Sequence, residues 1–159
     1  MTKTETKKLI SELQLSNISI ITPHFVYKTK PTLKITCSKD TFELLLQNWN
    51  MNTIDLREEL CLILLNRSLF VIGIYWVTIG TATGTVIDIH KILAISLLVN
   101  ANAIITIHNH PSGNIQPSEP DKTHSNQLKD ACKIMQLDYL DNMIITRNSY
   151  FSFSDEHLI

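Results

Sequence analysis

His108-Asn109-His110-Pro111-Ser112-Gly113-Asn114-Ile115-Gln116-Pro117-Ser118-Glu119-Pro120-Asp121 is the stretch whose reading decides the fold of this chain. Ahead of it lies Ala103-Ile104-Ile105-Thr106-Ile107, which is short, apolar and β-branched, the composition of a buried strand. Side chains alternate along a strand, so His108 and His110 are expected on the same side at its end. Pro111 keeps His110 extended by disfavouring helical backbone in the residue before it. The Pro-Ser-Gly turn breaks the strand, and Ser118 can open a helix that carries Asp121 near its start. Two imidazoles and one carboxylate then reach one place from a strand end and a helix start. That is the ligand set of a catalytic zinc ion with an open fourth position. The parts taken singly have a plainer reading. One His at a strand end is ordinarily a turn or surface residue, and Ser118 followed by Asp121 is a capping box in its Asp form, with no metal at all.

The combined pattern is more specific than its parts: His-x-His, ten residues, then Asp, with Ser three before the Asp. It resembles the JAMM motif of the JAMM/MPN metallopeptidases. The flanking His-Asn-His-Pro-Ser-Gly and Pro-Ser-x-x-Asp are similar to the bacterial RadC branch of that family. The resemblance covers residues 38–159 and leaves 1–37 as an N-terminal extension to which no chemistry is assigned. It implies an α/β fold of the JAMM/MPN, cytidine-deaminase-like type, a mixed β-sheet with flanking helices. It also implies one Zn²⁺ per chain on His108, His110 and Asp121, with Ser118 donating a hydrogen bond to a tetrahedral oxyanion. The implied activity is hydrolysis of a peptide or isopeptide bond in a peptide or protein substrate. The alternative is a DNA-repair or mobile-element accessory protein that uses the domain for binding without turnover.

Zinc-assisted hydrolysis also needs a carboxylate that does not bind the metal, to take a proton from water and pass it to the leaving group. Glu58 and Glu59 stand at the mouth of the apolar run Leu60–Leu65 and face opposite ways on a strand. The residues themselves do not choose between them. The resemblance implies Glu59, because the family's general base is expected directly before the first apolar residue of this strand, here Leu60. Asn109 and Ser112 read as supporting or turn residues, and His124 as a residue packed at the start of its helix.

Along the rest of the chain, Lys7–Leu15 reads as a short helix, and 17–21 and 25–28 as short strands. Ser38 is expected to cap a helix whose Phe42, Leu45, Leu46 and Trp49 recur at helical spacing. The run from Glu58 to Leu65 is apolar on both faces, as in a strand covered on both sides, and Asn66–Leu69 suits a hairpin into a second strand, 70–78. Gly80–Asp88 is a small-residue loop without the Gly-Lys-Ser/Thr ending of a phosphate loop. Similar RadC loops often carry a double Gly where this chain has Gly80-Thr81. Asp88 suits the cap of a buried helix over 89–100, and a further helix is expected over 121–136. Strands are expected over 143–146 and 150–153. Similar RadC sequences read Leu-Asp-His where this chain has Leu140-Asp141-Asn142. A buried strand, a hairpin, a helix and a parallel-compatible strand together give a mixed sheet with helices packed on it.

At 159 residues the chain is one domain by size, and 44% hydrophobic against 18% charged residues excludes a disordered protein. A net charge of −1, with no long Lys/Arg run, argues against direct electrostatic capture of DNA and leaves any such link to repair partners. Cys37, Cys61 and Cys132 form no Cys-x-x-Cys pair, Cys61 and Cys132 fall on apolar periodicities as buried thiols, and this usage suits a reducing cytoplasm. The N-terminus lacks the apolar core of a signal peptide, and no run approaches the length of a membrane span.

Overall fold

Strands β1 (Glu59–Leu65) and β3 (Ala103–Asn109) are buried along their whole lengths, as their largely apolar runs suit strands covered on both faces. Around them the computed structural model, which describes residue 25 and residues 30–79 and 87–159, sets three more strands and three helices. In chain order the described elements are α1 (Ser38–Asn48), β1, β2 (Val71–Ile79), α2 (Ile89–Leu98), β3, α3 (Glu119–Ile134), β4 (Asp138–Ile145) and β5 (Tyr150–Ser152). The sheet order is β2-β1-β3-β4-β5, antiparallel except for the β3–β4 pair, which is parallel and connected through α3. The expected short helix over Lys7–Leu15, the strand over 17–21 and most of the loop at Gly80–Asp88 lie outside the described residues, as does the strand over 25–28 apart from Phe25.

The pleat divides the core in two. Cys61, Ile63, Leu65, Ile105 and Ile107 point to one face, where Leu45 of α1 and Trp49 at its C-cap cover them together with Ile54 and Ile35. Leu60, Leu62, Leu64 and Ile104 point to the other, against Ile92 of α2 and Leu128 and Cys132 of α3. No helix among the described residues is long and apolar enough to cross a membrane.

Local details depart from the sequence expectation, among them β4, which begins at Asp138, five residues before the strand expected over 143–146. Helix α1 begins at Ser38 with Cys37 as its N-cap residue, and Asp40 Oδ2 accepts from Thr36 N and Oγ1 at 2.7 and 2.6 Å. Ser38 Oγ instead donates to Asp155 Oδ2 at 2.5 Å, tying the C-terminal tail to the start of the helix. The packed body also begins upstream of Ser38, since Ile35 is buried and its N–H donates to Leu69 O. Helix α3 starts at Glu119, two residues earlier than expected, directly after its Ser118 cap.

The C-terminal turn is held by a buried acid. Asp141 accepts from Ser152 Oγ at 2.6 Å and from Ser154 N at 3.0 Å, yet burial outweighs both bonds and pushes its carboxyl up to about 6. An acid raised in the folded state stabilises fully below its unfolded value, and that contribution is lost as pH rises through about 6. The loss is on the order of 2–3 kcal/mol. Urea unfolding between pH 4 and 7 is expected to show this slope in the wild type and a flatter profile in Asp141→Asn. Parallel profiles would contradict the assignment.

Candidate metal centre

The site forms where β3 runs out. His108 is the penultimate residue of the strand, and His110 follows its end while its N–H still donates to Ile145 O of β4 at 3.1 Å. The chain then turns through Pro111-Ser112-Gly113, closed by Gly113 N to His110 O at 3.1 Å. Gly113 has φ +78°, a backbone state that side-chain-bearing residues rarely adopt, so the turn needs glycine for its torsion and not for space.

Alternation brings the two imidazoles together as expected, with ring centroids 4.9 Å apart and Nε2 to Nε2 at 3.1 Å. Asp121, on the first turn of α3, reaches the same point: Oδ1 is 3.3 Å from His108 Nε2 and Oδ2 is 3.7 Å from His110 Nε2. The capping box does form, and it orients Asp121. Its Oδ2 accepts from Ser118 Oγ at 2.6 Å and Ser118 N at 2.8 Å, leaving Oδ1 toward His108. Burial opposes ionisation of Asp121, but the bonds from His108 and Ser118 prevail and hold its carboxyl well below the usual carboxylate range.

The donor chemistry fits a cation. His110 Nδ1 lies 2.7 Å from Asn114 O, a carbonyl that can only accept, so Nδ1 carries the proton and a neutral His110 turns the Nε2 lone pair inward. The Nε2 atoms of both imidazoles and a carboxylate oxygen of Asp121 converge there, and the ligand atoms lie within 4.8 Å of one another. His108, His110 and Asp121 can therefore hold a metal ion.

A cavity of about 410 Å³ opens over these ligands, lined by Glu58, His108, His110, Ser118, Asp121 and His124 among others. His124, expected to pack at the helix start, is half-buried on the cavity wall. Glu59, implied by resemblance as the general base, is not brought to this cavity. It sits on the opposite face of the sheet, buried, with Oε1 2.7 Å from Arg57 Nε and 3.3 Å from Thr53 Oγ1. The strand register explains the correction. Leu60 pairs with His108, so the residue two before Leu60 shares the face of His108, and that residue is Glu58. Asn142 pairs with Thr106, one pleat below His108, and accepts from Thr106 Oγ1 at 3.0 Å.

A five-stranded mixed sheet with helices on both faces and a His-His-Asp group at the end of a central strand defines a JAB/MPN-type domain. Residues 35–158 match the RadC-like JAB domain family, and the chain belongs to it. Among similar proteins, a UPF0758 protein of Chlorobaculum tepidum is 31% identical over 92% of this chain and 65% of its own length. A UPF0758 protein of Flavobacterium johnsoniae is 36% identical over 77% of this chain and 52% of its own length. One from Thermotoga maritima is 36% identical over 63% and 45%. The chain thus spans 45–65% of the length of these relatives, whose names state no reaction.

Because both cores are built without the ligands, chelation is expected to leave far-UV circular dichroism nearly unchanged, and His108→Ala or Asp121→Ala to abolish tight binding of a divalent ion. Titration with Zn²⁺ by calorimetry checks this. Full occupancy in the His108→Ala/His110→Ala variant, or unfolding on chelation, would contradict it.

Proposed function

We propose that this chain is a zinc-dependent hydrolase acting on peptide or isopeptide bonds, with Glu58 as its general base. The observation that carries the reading is the placement of a carboxylate, Glu58, on the wall of the cavity that contains His108, His110 and Asp121. Two nitrogen ligands and one oxygen ligand with an open side suit a catalytic zinc better than a closed structural one. Bound there, zinc would act as a Lewis acid and bring the pKa of a water to about 7.

The chain's own residues supply the rest. His108, His110 and Asp121 would hold the ion. Glu58 takes a proton from the attacking water and returns it to the leaving nitrogen, so the carboxylate ends the cycle as it began. Ser118 fixes Asp121 by its hydroxyl. That hydroxyl can serve an oxyanion only by giving up its 2.6 Å bond to Asp121 Oδ2. A binding-only role in DNA repair has no use for a base at Glu58, so the same variants separate the two readings.

The test is a panel of peptidyl aminomethylcoumarin amides and ε-lysyl isopeptides offered to the zinc-loaded chain. Glu58→Gln is expected to keep the ion and lose roughly 10²–10⁴ in turnover. Glu59→Gln, which loses only a contact to Arg57 and Thr53 on the far face, is expected to keep most of it. A dead Glu59 variant beside an active Glu58 variant would overturn the assignment. Wild type that cleaves nothing in the panel, and whose partner binding survives Glu58→Gln, would favour the binding role.

A further inference from the structure

Asn109 lies between the two histidines in sequence and points away from them in space. It is fully buried, and its primary amide makes three bonds to one short segment. Nδ2 donates to Ile54 O at 2.6 Å and to Arg57 O at 2.9 Å, and Oδ1 accepts from Glu59 N at 2.7 Å. Arg57 O belongs to the peptide group before Glu58, and Glu59 N to the peptide group after it. One side chain therefore grips both peptide planes that flank the Cα of Glu58.

The grip stands where the sheet stops. The β1–β3 ladder ends at the Leu60–His108 rung, so on that side no rung fixes the backbone of Glu58. A primary amide is the group that suits the gap, because it donates and accepts at once from a short stem, which a carboxylate or an apolar side chain cannot do. Fixing both flanking planes fixes φ and ψ at Glu58, and these determine the direction of its side chain.

We propose that Asn109 is the positioning residue of the general base: its amide sets the backbone of Glu58 and so aims that carboxylate into the metal cavity. The proposal rests on the reading of Glu58 given above. His-Asn-His then works as one unit, with its outer residues turned to the metal and its central residue, through the opposite face, holding the base.

A double-mutant cycle on the zinc-loaded full chain tests this, using the aminomethylcoumarin amide or isopeptide that the wild type cleaves. Asn109→Ala is expected to retain zinc, to speed exchange of the Glu59 amide proton followed by NMR, and to lower kcat by roughly 10²-fold or more, approaching Glu58→Gln. KM should stay within about threefold, and Asn109→Ala added to Glu58→Gln should lower kcat no further. A merely structural role would not produce that non-additivity. If Asn109→Ala does not fold, Asn109→Ser is measured in its place with the same expectations. Wild-type kcat alongside fast Glu59 exchange, or losses that multiply in the double variant, would overturn the proposal. Undiminished turnover in Glu58→Gln alone is a distinct result: it removes the base assignment itself, and the positioning role with it.

Discussion

The two-residue period of strand β3 is the constraint on which the site depends. Its pairings with β1 and β4 hold it in one register, and a slip of one residue would turn His108 to the opposite face. Held in that register, it turns His108 and then His110 to one face at the point where the sheet ends, and Asn109 to the other. Helix α3 completes the arrangement because its capping box serves two ends: it satisfies the start of the helix and leaves one oxygen of Asp121 free toward the histidines. A cap and a metal ligand are thus compatible uses of one carboxylate, which has two oxygens to give.

The far face of the sheet contributes without touching the cavity. Glu59 and Arg57 pair there, with the glutamate buried and the arginine about a third exposed. Leaving a buried donor or acceptor without a partner costs about 1–3 kcal/mol, so an Asn109 lacking its amide would strand three backbone groups at once. The segment before β1 is therefore set by polar satisfaction rather than by sheet pairing. The face that carries no ligand still determines which glutamate meets the cavity.

The His-His-Asp group is legible in the sequence because strand alternation, a proline, a turn and a helix cap are all local signals, and each acts within a few residues of His108, His110, Ser118 and Asp121. The choice between Glu58 and Glu59 was not legible, for a physical reason. Glu58 precedes the row Leu60, Leu62 and Leu64 and Glu59 opens the row Cys61, Ile63 and Leu65, and beyond the glutamates both rows are apolar because both faces are buried. Hydrophobic patterning then carries no parity, and only the pairing of Leu60 with His108, a contact far along the chain, supplies it. Resemblance implies Glu59, and the register turns Glu58 to the face of His108. The role of Asn109 was hidden likewise, since its three partners lie fifty or more residues away in the chain. By type Ser38 is the better capping residue, and the side chain of Asp40, bonded back to Thr36, sets the boundary one residue earlier, at Cys37.

The central claim is that β3 and α3 gather one metal ion on the face of the sheet that carries Glu58. Anomalous diffraction at the zinc edge, from crystals grown with Zn²⁺, tests it most directly. The account predicts a single strong peak bounded by His108 Nε2, His110 Nε2 and Asp121 Oδ1, with the carboxylate of Glu58 facing the open side and Glu59 still paired with Arg57 on the opposite face. No peak among those three atoms, or a peak with Glu59 turned toward it, would contradict it.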